Sequence, residues 1–492
     1  MTLPLAFGCT IKLWVSKEVP VDDANTQTTS EDIEDVEQKE KEDGQVEDVE
    51  QDGKVEDVDE DDVANDEDTQ TATPKEKKTR TVQEWETINE DKPIWYMSPK
   101  DVPPTDYTAL YKTISKDFDE PLFYRHFQTE GAFEFRGVLF VPKRPPYDIL
   151  GDGQKEKRKI RLYVKKVLVL NELDKEMLPD WMNFVVGIID SADLPLNVSR
   201  EMLQQTTVLK AMKSQLKKQI LTMLSDLLSD KDKYDSFYNG FQKHIKLGIH
   251  EGDETLIKFL RVHQTGSSDV ITFDEYVSSM KDDQTNIYYA TGVDAEKGVF
   301  TKAYAGKGYN VLLFKDAIDE FMLQRVTKYK EHDLVNIQKE HQAPWQTETS
   351  SQQDEFCKWL NDKLGDADIE KVRVSQTLVA KEDAPCCVVS SKHGWTGNME
   401  RIMMSQPLND AKSMFWMKGK KIFEVNVQHP IMQRMYSSFE QKQENETDTN
   451  DLKLLYQTAL VAAGFPLQEP SLLLESVASR LETVAPTQCV NV

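Results

Sequence analysis

Residues 286–326 read NIYYATGVDAEKGVFTKAYAGKGYNVLLFKDAIDEFMLQRV. Two short runs in this stretch, Asn286–Gly292 and Tyr309–Phe314, are rich in aromatic and branched side chains and have strand length. The span between them holds a short crossover helix, and Asp316–Val326 continues with helical spacing. Strand, crossover, strand and helix make a βαβ-like pattern, the signature of layered α/β architecture.

Outside this stretch, Gly131–Val141 (GAFEFRGVLFV) and Ile160–Leu170 (IRLYVKKVLVL) read as strands; in the second, apolarity shifts register across Lys165-Lys166. Ser199–Asp230 reads as a long amphipathic helix, with Leu209, Met212, Leu216, Ile220, Met223 and Leu227 on one core-facing stripe. Upstream, Thr81 to about Gln128 gives aromatic-rich helical segments broken by prolines: Glu84–Glu86, Pro93–Trp95 and Asp106–Asp117. Downstream, His341–Gln353 is polar, carries Pro344 and reads as a linker. Glu370–Leu378 and Ala384–Ser390 are strands, then Asp451–Gly464 and Pro470–Val484 a leucine-rich helix pair joined at Gly464-Phe465-Pro466. Ile11–Val15 (IKLWV) is a strand with no neighbour in sequence, and one strand does not stand alone. The fold class is multidomain α/β (α+β), in layers.

The chain has 492 residues and a formal charge of −26, but that charge is not evenly spread. Between Val21 and Gln70 there are 23 acidic residues against Lys39, Lys41 and Lys54, a net −20. So acidic a run, with few large apolar groups, cannot offset the entropy of ordering and reads as a disordered tether. Lys75, Lys77, Lys78 and Arg80 close it with a change of sign. The overall balance argues against nucleic-acid binding through phosphate neutralisation. Met1–Ser16 has no basic start and no unbroken apolar run, so it does not read as a signal peptide. Nowhere is there an apolar run of the roughly 18 residues that a membrane helix needs, so no membrane insertion is expected. Cys9, Cys357, Cys386, Cys387 and Cys489 have neither disulfide-framework nor zinc spacing; Cys386 and Cys387 fall in a strand and point to opposite faces. The eight histidines are scattered. The acidic turn His250–Glu254 is the nearest approach to a metal loop, and no metal site is expected. Phosphate-loop, dinucleotide, zinc-hydrolase and serine-hydrolase signatures are absent.

One local feature is physically odd. Leu194–Glu201 puts Asn197 or Ser199 at the cap of a helix and Arg200 in its first turn, where a cation faces the positive end of the helix dipole. Either Arg200 pairs with a carboxylate, or it reaches outward to an anion with Gln204 beside it one turn on.

The run Asp193–Gln205 (DLPLNVSREMLQQ) closely resembles the middle-domain signature of the ninety-kilodalton heat-shock chaperone family. Lys92–Trp95, Phe135–Pro142, Lys246–Glu251 and Gly394–Met403 (GWTGNMERIM) resemble it too, and the likeness runs from Thr81 to about Val484. Trp14–Glu18 resembles the last strand of the family's N-terminal ATPase domain, succeeded as in the family by an acidic linker. The resemblance implies a remnant strand at 1–20, a linker at 21–80, a middle domain at 81–342, a C-terminal dimerisation domain at 354–484 and a tail at 485–492. The N-terminal ATPase domain is then mostly absent from this chain.

The same resemblance implies roles for single residues. Arg200 matches the arginine that swings toward the γ-phosphate of ATP, and Gln204 a supporting polar residue. ATP and Mg serve the full-length family, while the motifs of this chain bind neither. Phe118, Met414, Phe415, Trp416 and Met417 fall where the family contacts unfolded clients, with Phe118 where tryptophan is often found and Leu168 where an aromatic is common. Leu452, Leu455, Leu460, Leu472, Leu473 and Leu481 fall in its dimerising helix bundle. The implied partners are unfolded client proteins, a second copy and co-chaperones, and the implied activity is stress-related protein folding. Gly397 before Asn398 is more like the endoplasmin-like branch of the endoplasmic reticulum than the cytoplasmic one. Thr487–Val492 matches neither branch's address tail. Asn445-Glu446-Thr447 is the better of two glycosylation sequons, since Asn197-Val198-Ser199 serves the helix cap. The alternative function is a naturally short, ATP-independent client-binding or dimerising module that modulates full-length chaperone.

Overall fold

The computed structural model describes residues 12–20, 79–87, 93–129, 133–145, 159–173, 177–192, 206–345, 350–365, 368–405, 419–442, 446–467 and 469–484. Contacts separate a small unit, Pro4–Lys92, from a body beginning at Pro93.

In the small unit, strand β1 (Lys12–Pro20) pairs antiparallel with β2 (Thr79–Thr87). This corrects the helical reading of Glu84–Glu86. Thr79, Thr81, Val82, Trp85 and Thr87 are good strand formers, and Trp85 lies directly opposite Trp14 with ring centroids 5.0 Å apart. The lone strand of the sequence thus has its partner beyond the acidic run. Residues 21–78, which hold that run, lie outside the described residues.

The body opens with a short turn at Ile94–Tyr96 and helix α1 (Pro104–Ser115), near the expected positions. A five-stranded sheet comes next, in the order β3-β4-β7-β5-β6: β3 (Phe123–Thr129), β4 (Phe135–Val141), β5 (Ile160–Val164), β6 (Val167–Leu170) and β7 (Val186–Ser191). Both faces are covered. Val138, Phe140, Val186 and Ile188 pack on Trp95, Tyr107 and Tyr111 of the α1 side. Leu139, Val141 and Ile189 pack on α2 (Thr206–Leu227) and α3 (Lys231–His250). The alternation is the period of two that a strand imposes. On α2, Met212, Leu216, Ile220, Met223 and Leu227 are buried, as their spacing requires; the side chain of Leu209 lies outside the description.

The run Ile160–Leu170 is a hairpin rather than one strand. Lys165 and Lys166 have φ of 49° and 68°, the left-handed pair of a two-residue turn, which is why apolarity shifts register there. Phe123–Thr129, in a stretch read as helical, is also a strand, its seven residues paired with β4.

Residues 286–326 fold as their pattern requires. β10 (Ile287–Thr291) runs parallel to β11 (Leu312–Phe314) through helix α5 (Val299–Gly306), with α6 (Ala317–Leu323) after it. The sheet also contains β8 (Val262–Gln264), β9 (Val270–Ile271), β12 (Lys328–Tyr329) and β13 (His332–Asn336), in the order β12-β13-β10-β11-β8-β9, with the short α4 (Phe273–Ser278) after β9.

The expected linker His341–Gln353 is in part structured. Trp345 Nε1 donates to Gln376 O at 2.8 Å, and Ser350 caps α7 (Ser351–Leu364) through a capping box with Gln353. The last sheet orders β14-β16-β15, from β14 (Ile369–Val374), β15 (Cys386–Ser390) and β16 (Lys421–Val425). Cys386 faces the core of this sheet and Cys387 the opposite one. Burial pushes the Cys386 thiol up to about 12, which suits packing rather than reactivity. Helices α8 (Gly397–Met404), α9 (Pro430–Glu440), α10 (Glu446–Ala462) and α11 (Pro470–Val484) complete the body.

Candidate functional site

The segment expected to carry Arg200 and Gln204 joins β7 to α2, and both residues lie outside the described residues, as do Met414, Phe415, Trp416 and Met417. The structure does show the anchor from which that segment departs. Asp190, near the end of β7 and buried, accepts from Trp95 Nε1 at 3.1 Å and from the Lys166 backbone N–H at 3.2 Å, with the Tyr96 hydroxyl near it. Burial raises its carboxyl above the usual range, and these hydrogen bonds only partly offset that. The Tyr96 ring has Arg136 on it at 4.9 Å and Lys166 Nζ at 4.8 Å. One carboxylate therefore ties together the Ile94–Tyr96 turn, the β5–β6 turn and the strand that leads toward Arg200.

A second assembly lies where parallel α/β units ordinarily bind ligands, at the carboxyl end of β10, between chain crossings to β11 on one side and β13 on the other. Here the chain fills that crevice itself. Glu320 of α6, buried, accepts from Thr396 Oγ1 at 2.8 Å and Asn398 Nδ2 at 3.0 Å. Thr396 Oγ1 in turn caps α8 by accepting from Met399 N at 3.1 Å. Asn398 packs over Gly292, whose φ of 112° only glycine adopts readily.

A third polar group gathers on β16. Glu424 is buried and accepts from Arg373 Nε at 2.9 Å, Arg373 Nη2 at 2.6 Å and Ser375 Oγ at 2.8 Å. Tyr304 Oη and His341 Nε2 are 2.5 Å apart, and burial lowers the His341 pKa, keeping the ring neutral.

The profile of the Hsp90 protein family matches residues 8–488. The chain belongs to the Hsp90 family. It is 37% identical over 430 residues to an endoplasmin homolog of Arabidopsis thaliana, covering 80% of this chain and 52% of that relative. It is 38% identical over 412 residues to heat shock protein 83 of Leishmania donovani, covering 80% of this chain and 90% of the relative. Over 403 residues it is 35% identical to the mitochondrial heat shock protein 90-6 of Arabidopsis thaliana, covering 79% and 50%. The chain thus spans about half the length of the endoplasmin homologs it matches.

In this Hsp90 chain the Gly394–Met403 signature is a packing hub. A Cβ on Gly397 would lie 2.5 Å from Ala463 O and 2.6 Å from Gly464 C, backbone atoms of the turn after α10. Gly397→Ala is expected to cost about 1–3 kcal/mol through overpacking of that turn, read as a lowered midpoint in urea denaturation. An unchanged midpoint would mean that the turn yields freely.

Of the remaining expected residues, Phe118 just beyond α1 is 95% exposed. The leucines divide: Leu452 is 1% exposed in the chain's own core, Leu455 and Leu460 pack against that core, Leu473 is half-buried, and Leu472 and Leu481 are exposed. Leu474 and Val477 of α11 and Val461 of α10 are exposed too and were missed in the sequence. Leu474, Val477 and Leu481 are spaced i, i+3, i+7, a stripe the sequence pattern contained. Among the described residues there is no group of three or more His, Cys, Asp or Glu placed to hold a metal ion, and no helix long and apolar enough to cross a membrane.

Proposed function

We propose that this Hsp90-family chain is the client-holding body of a chaperone, which works as a homodimer on unfolded or immature proteins. The observation that carries the reading is the unpartnered apolar stripe of α11, with Leu474 71% and Leu481 65% exposed on a helix of which no described side chain is buried. A second copy presenting the same stripe covers it symmetrically. Phe118, which is exposed, and the segment Met414–Met417 are the client contacts, since aromatic and methionine side chains adapt to many partners. Arg200, supported by Gln204, completes an ATP-hydrolysis site whose nucleotide and Mg are held by a domain ahead of β1, and the anchor around Asp190 fixes where the arginine's segment begins. Co-chaperones join the full-length protein. Endoplasmin homologs among the relatives support a place in the endoplasmic reticulum.

The test is ATP turnover by the purified chain and by the chain fused to a family nucleotide domain. The chain alone is expected to hydrolyse ATP at buffer background. The fusion is expected to turn over ATP and to lose at least about tenfold with Arg200→Ala, the effect of removing a charge-stabilising donor. Hydrolysis by the chain alone that Arg200→Ala abolishes would contradict the split site.

A further inference from the structure

The polar face of α3 does not open to bulk water everywhere. Asp235, Tyr238, Asn239, Gln242 and Lys246 recur at helical spacing and form one wall of a cleft of about 440 Å³. The opposite wall comes from β8 and the end of β11, with Val270 of the edge strand β9 exposed at its rim. From Asp235 to Lys246 is about 16 Å along the helix axis, the length of roughly five residues of extended chain.

The groups that line the cleft divide into those that are used and those that are not. Lys246 is tied to Asp316 at 2.5 Å and Asp319 at 2.9 Å. Arg261 lies over the Tyr234 ring at 4.6 Å and donates to Leu260 O at 3.0 Å. Lys315 is paired with Glu296 at 3.5 Å. Tyr238 is 6% exposed, and its hydroxyl closes no hydrogen bond of proper geometry; the Arg261 backbone N–H lies near it, which leaves the hydroxyl proton without an acceptor. A buried hydroxyl left unmatched is costly, and a cleft is where a ligand supplies the match. Of the carboxylates that line the cleft, Asp316 and Asp319 are paired with Lys246, while Asp235 has no ion pair among the described residues and is left to select an occupant.

We propose that this groove binds an extended peptide segment. Asn239, Gln242 and the Tyr238 hydroxyl hydrogen-bond its backbone, and Asp235 selects a basic side chain. The inference rests on the client-holding reading and adds to it a second contact, polar and charge-selective, separate from the apolar ones. Two amides and a hydroxyl at neighbouring helical positions match the spacing of an extended backbone, which offers a donor and an acceptor at each residue.

The probe is a fluorescein-labelled nonapeptide of glycine, serine and threonine with one central lysine, and its twin with glutamate there. Fluorescence anisotropy is measured on the full chain, on Asp235→Lys and on Tyr238→Phe, with circular dichroism to confirm that each variant is folded. The lysine peptide is expected to bind the unaltered chain about tenfold tighter than its twin, with the order reversed for Asp235→Lys and both weakened by Tyr238→Phe. Equal affinities for the two peptides, or an order unmoved by Asp235→Lys, would overturn the groove. Suppression of client aggregation, measured in parallel, separates the two readings. Suppression without the charge swap sinks only the groove, and the swap without suppression leaves a peptide site and sinks the client reading.

Discussion

Replacing Lys246 by Met lowers the unfolding free energy by about 3–5 kcal/mol at pH 7, and by less at pH 5. The ammonium is 6% exposed and faces Asp319, itself 2% exposed, at 2.9 Å, with Asp316 at 2.5 Å. Burial alone would lower the Lys246 pKa, but the Asp319 carboxylate outweighs it and holds the ammonium above its usual range. Burial raises the Asp319 carboxyl, and Lys246 only partly offsets that. A carboxyl whose folded pKa lies above its unfolded one binds more protons in the folded state, so its contribution to stability falls as pH rises through that interval. Removing the ammonium drives the Asp319 carboxyl higher still. Acidification then neutralises the orphaned acid and recovers part of the loss. The double variant Lys246→Met with Asp319→Asn recovers more, because the amide oxygen still accepts the Asp316 N–H that caps α6. Urea denaturation at the two pH values reads both effects. An equal loss at pH 5 and pH 7 would show that the pair is not what stabilises this region.

The second large effect concerns assembly. Leu474→Asp together with Leu481→Asp is expected to convert a dimer to a monomer, raising the dissociation constant by at least about a thousandfold, since each leucine buried at an interface contributes about 1.5–3 kcal/mol and each copy loses two. Both side chains are exposed in the single chain, so its own unfolding is expected to move by less than about 1 kcal/mol. Leu452→Asp behaves in the opposite way. Its side chain lies in the core of the last sheet, and a charge there unfolds the C-terminal part rather than merely separating copies. Sedimentation velocity with circular dichroism distinguishes the two. A double variant that stays dimeric would place the interface elsewhere.

How far the sequence spoke depended on the pattern each element carried. The βαβ stretch was legible because Asn286–Phe314 alternates short apolar strands with a helical spacer. The stripe of α2 was legible because its methionines and leucines recur every three or four residues. Strand β7 was not, since Val186–Ser191 is buried on both faces and shows no alternation to read. Helix α3 was not, since Gly240, Gly248 and a wealth of aromatics give it poor intrinsic propensity; its stability comes from Tyr234, Phe237, Phe241 and Ile245 packing in the core. Glu84–Glu86 was misread as helical because the partner of the strand it belongs to stands far upstream, across the acidic run. The family motifs were visible as strings, but their work was not. That Gly397 sits against a backbone turn, or that Glu320 receives two hydrogen bonds from the start of α8, comes from residues far apart in the chain.

The claim that the chain is a dimeric holder of unfolded protein is tested most directly by light scattering from a heat-unfolding client protein, with the chain or its Leu474→Asp, Leu481→Asp variant added at equal molarity and no nucleotide present. The account predicts that the unaltered chain suppresses aggregation and that the variant, folded but monomeric, suppresses it markedly less. Scattering unchanged by the unaltered chain, or lowered equally by both, would contradict it.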